Sequence, residues 1–471
     1  MARFFRLVHN EYIKVLHRIS TFIMLGLMVL AALGLNLVAV FLQNTMTANQ
    51  DSYYGDPETY YSDQIDYLET AKPEGYEWDI EQYRFMNEQG IDPFAYDWRG
   101  DAVFNLYEAK KQDAQLEESG VSPEDRERFT DYISASESAI RSQDWKKFCE
   151  ATVAFYRSDS SLTQEQQEQA VWEYQYRLDH DVPWDSQDWK STLLANTANL
   201  KKEVESTQAM QQSGQGDVTG LEKQEDQLKI DLYRLDHDIQ VNAGDCGMTV
   251  DNPLHFWSVF TSSTSLLQVV SVLIIVIAGS CVASEFSSGT IKFLLINPVK
   301  RGKILASKYV MVVTFSFLML ILFYVVNVLF TALFFGFGNF GAPYLYISGG
   351  EVHSISGFLY MAWQYLLGSV NMIVMATLAF AISSLIRSSA LAIGVSLFAM
   401  LAGSGAVLFL KEALNIDWVR YIVFANTDLN AILSGTTPFA NQTIGFALGV
   451  IAVYMVVFLL TAWDGFVRRE V

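Results

Sequence analysis

Six apolar stretches, near residues 19–42, 264–284, 308–335, 357–386, 389–410 and 441–463, constrain this chain more than any other feature. Each is long enough to cross ~30 Å of hydrocarbon as a helix. In lipid every backbone N–H and C=O must be satisfied within the protein, which leaves helices as the spanning elements of such runs. The expectation is an all-α polytopic membrane protein with six transmembrane helices. The first stretch exceeds a signal-peptide core and no small-residue cleavage site follows it, so it reads as a retained helix over 19–43. Everything hydrophilic and long lies in one block, 44–263, inserted after that helix.

Charge sets the orientation. Residues 44–262 hold 44 Asp and Glu against 18 Lys and Arg, while the rest of the chain holds 14 basic and 8 acidic residues. Twelve of those 14 (Arg3, Arg6, Lys14, Arg18, Lys292, Lys300, Arg301, Lys303, Lys308, Arg387, Arg468 and Arg469) fall on one side of a six-span arrangement, with Lys411 and Arg420 opposite. Basic residues in short loops mark the cytoplasmic side. The expected protein is thus a multi-pass protein of the cell membrane with both termini cytoplasmic and an acidic extracellular domain.

Two cytoplasmic elements follow. Over residues 1–18, Phe5, Val8, Tyr12, Val15, Leu16 and Ile19 recur at three- and four-residue spacing against a polar face of Arg3, Arg6, Asn10, Lys14 and Arg18. This predicts an amphipathic elbow helix in the membrane interface or packed on the flank of the spans. Between the second and third spans, the basic loop 285–307 breaks at Ser287, Ser288 and Gly289 and then allows about two helical turns from Thr290 to Ile296. Pro298 ends them, since proline lacks the N–H and clashes with the preceding turn. A short helix held beneath the membrane suits docking to a soluble partner.

The order Glu285, Gly289-Thr290, Leu294-Leu295, Pro298, Arg301 and Lys308 resembles the first cytoplasmic loop of ABC exporter permeases of the second type. The opening His9-Asn10-Glu11-Tyr12-Ile13-Lys14 is similar to that family's start, and Trp418 to Leu429 resembles its extracellular re-entrant region, here 411–440. The resemblance covers roughly half of the chain and none of the insert. It implies that the loop helix couples to an ABC ATP-binding subunit through Glu285, Gly289, Thr290, Leu294, Pro298 and Arg301. It also implies a second permease copy or a related permease as partner, with ATP and Mg bound by the ATPase and no cofactor held by this chain. Peptide antibiotics, lipids, glycans and ions are all handled by relatives of this architecture. The other reading is a non-transporting surface protein in which the ATPase drives a conformational change that the extracellular domain passes on.

The insert reads as mainly helical, with enough Trp and Tyr for its own core. Ser122-Pro123-Glu124-Asp125 marks a helix start, Thr163 and Gln166 a capping box, and Asp185 or Ser186 the start of a long helix to about Gln212. With a second arm from Leu221 to Asp238 this makes an antiparallel hairpin sealed by Leu193, Leu200, Val204, Leu221, Leu228, Leu232 and Leu235. The sequence Tyr-Arg-Leu-Asp-His-Asp occurs at 176–181 and again at 233–238. Asp and His could ligate a metal, but neighbours on a helix point apart, so two ends of duplicated helices is the preferred reading and no metal is expected. An extracellular Cys149–Cys246 bridge would close a 97-residue loop; two free buried thiols are the alternative. The acidity is read first as solvation of an exposed domain, ahead of attraction of cationic cargo or contact with cell-wall components.

Polar residues within spans are costly, so Asn36, Gln268, Asn327, Gln364 and Asn371 are candidates for a substrate path or for hydrogen bonds between helices. Ala392/Ser396 and Ala399/Gly403 give small-residue spacing suited to close packing, within the chain or across a dimer. The sequence contains no GxxxxGK[ST] phosphate loop and its cytoplasmic loops are too short for an ATPase domain. No nucleophile–base set, nucleotide fingerprint or basic nucleic-acid-binding patch stands out. The chain is expected to be a transporter subunit, not an enzyme, with lipid around it and no nucleic acid partner.

Overall fold

The computed structural model describes residues 2–53, 56–73, 75–94, 97–185, 188–213, 220–245, 254–287, 299–386, 388–439 and 442–468, the side chains of 2–3 and 46–53 excepted. Among these, six helical segments are long and apolar enough to cross a membrane: Ile19–Thr45, Phe256–Phe286, Arg301–Phe335, Gly357–Leu385, Ser389–Glu412 and Ile444–Arg468. The molecule is an all-α, multi-pass membrane protein apart from one small hairpin.

Helix α1 (Ala2–Leu16) precedes α2 (Ile19–Tyr53), whose first part is the first span. The turn between them is held by the Thr21 hydroxyl donating to Val15 O at 2.6 Å. Val15 is buried and Val8 and Tyr12 pack on the bundle core, while Phe5 and Leu16 remain exposed. Part of the apolar face thus docks on the flank of the spans, and part is exposed. The Tyr12 hydroxyl fixes the docking by donating to Thr314 Oγ1 of the third span at 2.7 Å.

The second span is composite. It consists of α11 (Phe256–Ser262), a 3-10 turn (Ser263–Leu266), α12 (Leu267–Cys281) and α13 (Ala283–Ser287). It therefore begins eight residues before the expected 264, on the aromatic run Phe256-Trp257. This span and the fourth, α15 (Gly357–Leu385), are the most buried of the six. The third (α14, Arg301–Phe335), fifth (α16, Ser389–Glu412) and sixth (α18, Ile444–Trp463) lie around them. On α16 the buried face is Ala392, Ser396, Met400, Gly403 and Val407, so the small-residue stripe packs within its own chain. A Cβ on Gly403 would come within 2.6 Å of the Phe424 ring. Phe424 belongs to the segment between the fifth and sixth spans, which folds as 3-10 turns Asp417–Tyr421 and Val423–Ala425 followed by α17 (Leu429–Leu433). Buried Asn426 organises it, donating to Arg420 O at 2.8 Å and Ile422 O at 2.9 Å and accepting from Gln442 at 3.0 Å.

The hairpin was not anticipated. Strands β1 (Pro343–Ser348) and β2 (Glu351–Ser356) pair antiparallel with Ser348 opposite Glu351 across Gly349-Gly350, both at positive φ (63° and 87°). Two consecutive left-handed residues suit a tight two-residue turn that follows strand twist. The insert's exit segment adds to it: Ala243 N donates to Pro343 O at 2.8 Å and Leu345 N to Asn242 Oδ1 at 3.0 Å.

The insert is wholly helical in its described part: α3 (Pro57–Ala71), α4 (Tyr76–Glu88), α5 (Trp98–Glu118), α6 (Pro123–Ser142), α7 (Trp145–Arg157), α8 (Gln164–His180), α9 (Trp189–Gln212) and α10 (Leu221–Asp236). Ser122 caps α6 with Pro123 at its first position, and Thr163 with Gln166 forms the capping box of α8. The long α9 starts at Trp189 behind an Asp188 cap rather than at Asp185 or Ser186, because the Asp188 carboxylate reaches the Lys190 N–H. It pairs with α10; Leu193, Val204, Leu221 and Leu235 are buried in the hairpin and Leu200, Leu228 and Leu232 half-buried.

The two Tyr-Arg-Leu-Asp-His-Asp copies end α8 and α10 in the same way. Asp181 and Asp238 are left-handed (φ 52° each), and the N–H groups of Val182 and Ile239 close back onto Arg177 O and Arg234 O at 3.0 Å. Such closure satisfies carbonyls orphaned at a helix C-terminus. Each arginine then bonds the two carbonyls beyond its own cap: Arg177 those of Val182 and Pro183, Arg234 those of Ile239 and Gln240. His180 and His237 stack on Tyr176 and Tyr233 at 4.0 and 3.9 Å, and Asp181 and Asp238 pair with Lys146 and Lys190. The repeat is a duplicated helix stop. Cys149, on α7, is a fully buried free thiol that burial pushes up to about 12. Cys246 lies outside the described residues.

Candidate functional site

At the end of the bundle where α1 lies, three chain segments distant in sequence bring charge into one buried knot. Glu11 and Lys14 are one turn apart on α1, the spacing at which helix side chains become neighbours. Glu285 sits on α13, a short helix set off from α12 at Val282. The break is stabilised from the fourth span, where Ser383 Oγ accepts from Val282 N at 3.3 Å and Ala283 N at 2.9 Å. Lys308 lies about two turns into the third span and is fully buried.

The Lys308 ammonium donates to Glu11 Oε2 at 2.8 Å, Glu285 Oε1 at 2.6 Å and Cys281 O at 3.4 Å. An ammonium has three N–H groups, and here each meets an acceptor. Lys14, half-exposed, closes the ring from outside, donating to Glu11 Oε1 at 2.9 Å and Glu285 Oε1 at 3.1 Å. Two carboxylates and two ammonium groups make the knot neutral, and each carboxylate touches both cations. Burial works against ionisation of Glu11, but Lys308 and Lys14 outweigh it and hold the carboxyl below the usual glutamate value. Arg18, just beyond α1, donates to Ser280 Oγ at 3.4 Å and adds a second link between the elbow and the second span. The arrangement is a mechanical tie. Among the described residues its charge is consumed internally instead of being offered to a ligand.

Of the residues singled out from sequence, Glu285 is in the knot and Arg301 opens the third span. Gly289, Thr290, Leu294 and Pro298 lie outside the described residues, as does the helix expected at 290–296. From sequence Glu11 and Lys14 belong to the opening motif, Lys14 also to the polar face of the elbow, and Lys308 to the end of the loop motif, with no pairing among them. A signal existed. A lysine within a hydrocarbon-length segment demands an acid partner, and outside residues 44–262 only eight acids are available.

The span amides are dispersed. Asn36 and Asn327, on the adjoining first and third spans, are fully buried, and each donates to the carbonyl four residues back (Ala32 and Phe323, 2.8 Å) instead of to another helix. Their Oδ1 atoms and that of half-buried Asn371 have no hydrogen-bond partner among the described residues. Gln268 is exposed on the second span, so the four do not form one lining.

Residues 245–471 match a family described as a protein of unknown function, DUF2705. The chain is 34% identical over 285 residues to the uncharacterized protein YhcI of Bacillus subtilis (strain 168), covering 60% of this chain and 84% of that one. It is 34% identical over 236 residues to the uncharacterized membrane protein YdbK of the same organism, covering 50% of this chain and 87% of the other. No solved structure matches. Both relatives are shorter than this chain, since the matched part is 84% and 87% of theirs and 60% and 50% of this one. With that coverage and identity, the chain belongs to the family of proteins that contains YhcI and YdbK.

Proposed function

We propose that this chain is the membrane-spanning permease subunit of an ATP-driven ABC exporter. The observation that carries the reading is the convergence of two sequence motifs, the opening of the chain and both ends of the loop motif. The opening Asn10-Glu11-Tyr12-Ile13-Lys14, the Glu285 end of the second span and Lys308 of the third meet in one buried charge knot. Glu285 lies on α13 at one end of the loop between the second and third spans, and Lys308 lies in the third span at the other, so a push on that loop would reach the elbow and two spans together. Charge asymmetry supports a cytoplasmic position for the knot and both termini, and an extracellular one for the insert. A separate ABC ATP-binding subunit would dock on the loop and supply ATP and Mg chemistry, and two permeases would rock around a path between them. Cargo moves outward without chemical change, so this chain acts as a transporter and not as an enzyme.

A non-transporting surface protein has one observation in its favour: the insert is bonded to the bundle. Asn242 and Ala243 extend the hairpin, and Lys223 donates to Ser434 O at 3.1 Å. The test separates the two. Arg301→Glu should weaken association with the ATPase and abolish export while leaving membrane insertion intact. Normal ATPase co-purification together with normal export in that variant would overturn the exporter reading, and ATPase association without any solute movement would favour the second.

A further inference from the structure

We propose that the insert carries a binding cleft for a short basic peptide segment bearing an apolar side chain. The cleft, about 750 Å³, lies between the end of α5, the first half of α6 and the end of α7 with the loop that follows it. That volume falls in the range of sites that enclose small ligands. Its floor is apolar: half-buried Leu116, Ala151 and Phe155 line it over the buried Phe129 and Tyr132. The rings interlock, with Phe155 at 5.2 Å from Phe129 and 4.6 Å from Tyr132, so the floor is preformed.

The rim is acidic. Glu124, Asp125, Glu127, Asp131 and Asp159 line the cleft against a single cation, Arg128. Arg128 is committed: it pairs with Asp159 at 2.7 Å and lies over the Phe129 and Phe155 rings at 4.8 and 5.4 Å. Asp159 is likewise engaged, accepting from Ser161 Oγ and N. Glu124, Glu127 and Asp131 make no ion pair among the described residues and are exposed. A cleft with one sign of charge over low-dielectric walls focuses its field, unlike the same charge spread on a convex surface.

Charge and floor together select the occupant. The carboxylates do not gather into a metal-holding group among the described residues, and a bare polyamine would leave half-buried Leu116, Ala151 and Phe155 uncovered. A second copy of this domain, with its large excess of acid, would be repelled. A basic peptide with an aromatic side chain satisfies both surfaces. This site stands apart from the exporter reading; if that reading holds, the cleft is where cargo is first held.

The experiment uses the full chain in nanodiscs of zwitterionic lipid, with empty discs as control. The probe is the peptide Lys-Phe-Lys-Phe-Lys amide, and spermine, magnesium and Lys-Ser-Lys-Ser-Lys amide are comparison ligands. Each rim carboxylate near a bound cation is worth about five-fold in affinity, so Glu127→Gln with Asp131→Asn should weaken binding about 25-fold, and 0.5 M salt should weaken it too. Phe155→Ala should cost roughly ten-fold. Asp63→Asn with Asp66→Asn, on α3 outside the cleft, should change nothing. The proposal is overturned if the α3 pair weakens binding as much as the cleft pair, if spermine or the serine peptide binds as tightly, or if uptake equals that of empty discs. Unchanged thermal midpoints of the variants ensure that affinity, not folding, is read.

Discussion

Replacing Lys308 by Met keeps the length and apolar stem of the side chain and deletes only the ammonium. In the native knot that group makes three hydrogen bonds, two of them to carboxylates that are themselves buried at 7% exposure each. Removal leaves Glu11 and Glu285 facing each other with half-exposed Lys14 as their shared counter-ion. Breaking a buried pair on one side costs about 3–5 kcal/mol, because the remaining charge is desolvated without compensation. Lys14 offsets part of this, and about 3 kcal/mol is the expected loss. Adding Glu285→Gln to Lys308→Met removes the surplus negative charge, so the double variant should be more stable than the single one. The assay is thermal unfolding of the purified protein in detergent micelles, followed by tryptophan fluorescence for all four members of the cycle. Loss below about 1 kcal/mol, with additive effects in the double variant, would refute the account of the knot as a coupled unit. The pH dependence has a definite sign. Glu11 is held below its ordinary value, so its contribution is present above that value and is lost as pH falls through the depressed one. Acid should thus loosen α1 from the bundle, read as faster proteolysis after Lys14, and Glu11→Gln should abolish that acid step.

Three further outcomes follow from the packing. Cys149 should resist maleimide in the folded protein and react fully once unfolded, since its thiol is buried and pushed up to about 12; rapid labelling of the native state would contradict its placement. Gly403→Ala should destabilise by about 1–3 kcal/mol through the clash with the Phe424 ring, and Phe424→Leu in the same chain should restore part of it. Arg177→Met should cost about 2–4 kcal/mol, because a fully buried guanidinium bonded to Glu173, Ser191 and two carbonyls is lost. The Trp184 emission should shift with it, as the guanidinium lies 4.0 Å over that ring.

The spans were legible because hydrocarbon thickness imposes a length that composition displays directly. Helix starts were legible where a cap is spelled locally, as at Ser122-Pro123 and Thr163-Gln166. They slipped where two acids compete for one cap, as Asp185 and Asp188 do. The hairpin at 343–356 carries a sequence signal of its own in Gly349-Gly350 between two strand-length runs. The knot was half legible. Glu285 stands out through loop order, but its partners Lys14 and Lys308 are 271 and 23 residues away along the chain, and nothing local pairs them. What could have paired them is the cost of a charged lysine in a span. Of the intramembrane amides, Asn36 and Asn327 donate to their own helices, an option that always competes with bonds between helices.

The central claim is that the loop between the second and third spans docks an ABC ATPase. The direct measurement is a photocrosslinking amino acid placed at Leu294 in living cells, with the captured chain identified by mass spectrometry. The account predicts one dominant adduct, an ABC ATP-binding subunit, that disappears when Arg301→Glu is combined with the probe. An ABC-free adduct pattern, or crosslinking to lipid alone with the ATPase of the cell intact, would contradict it.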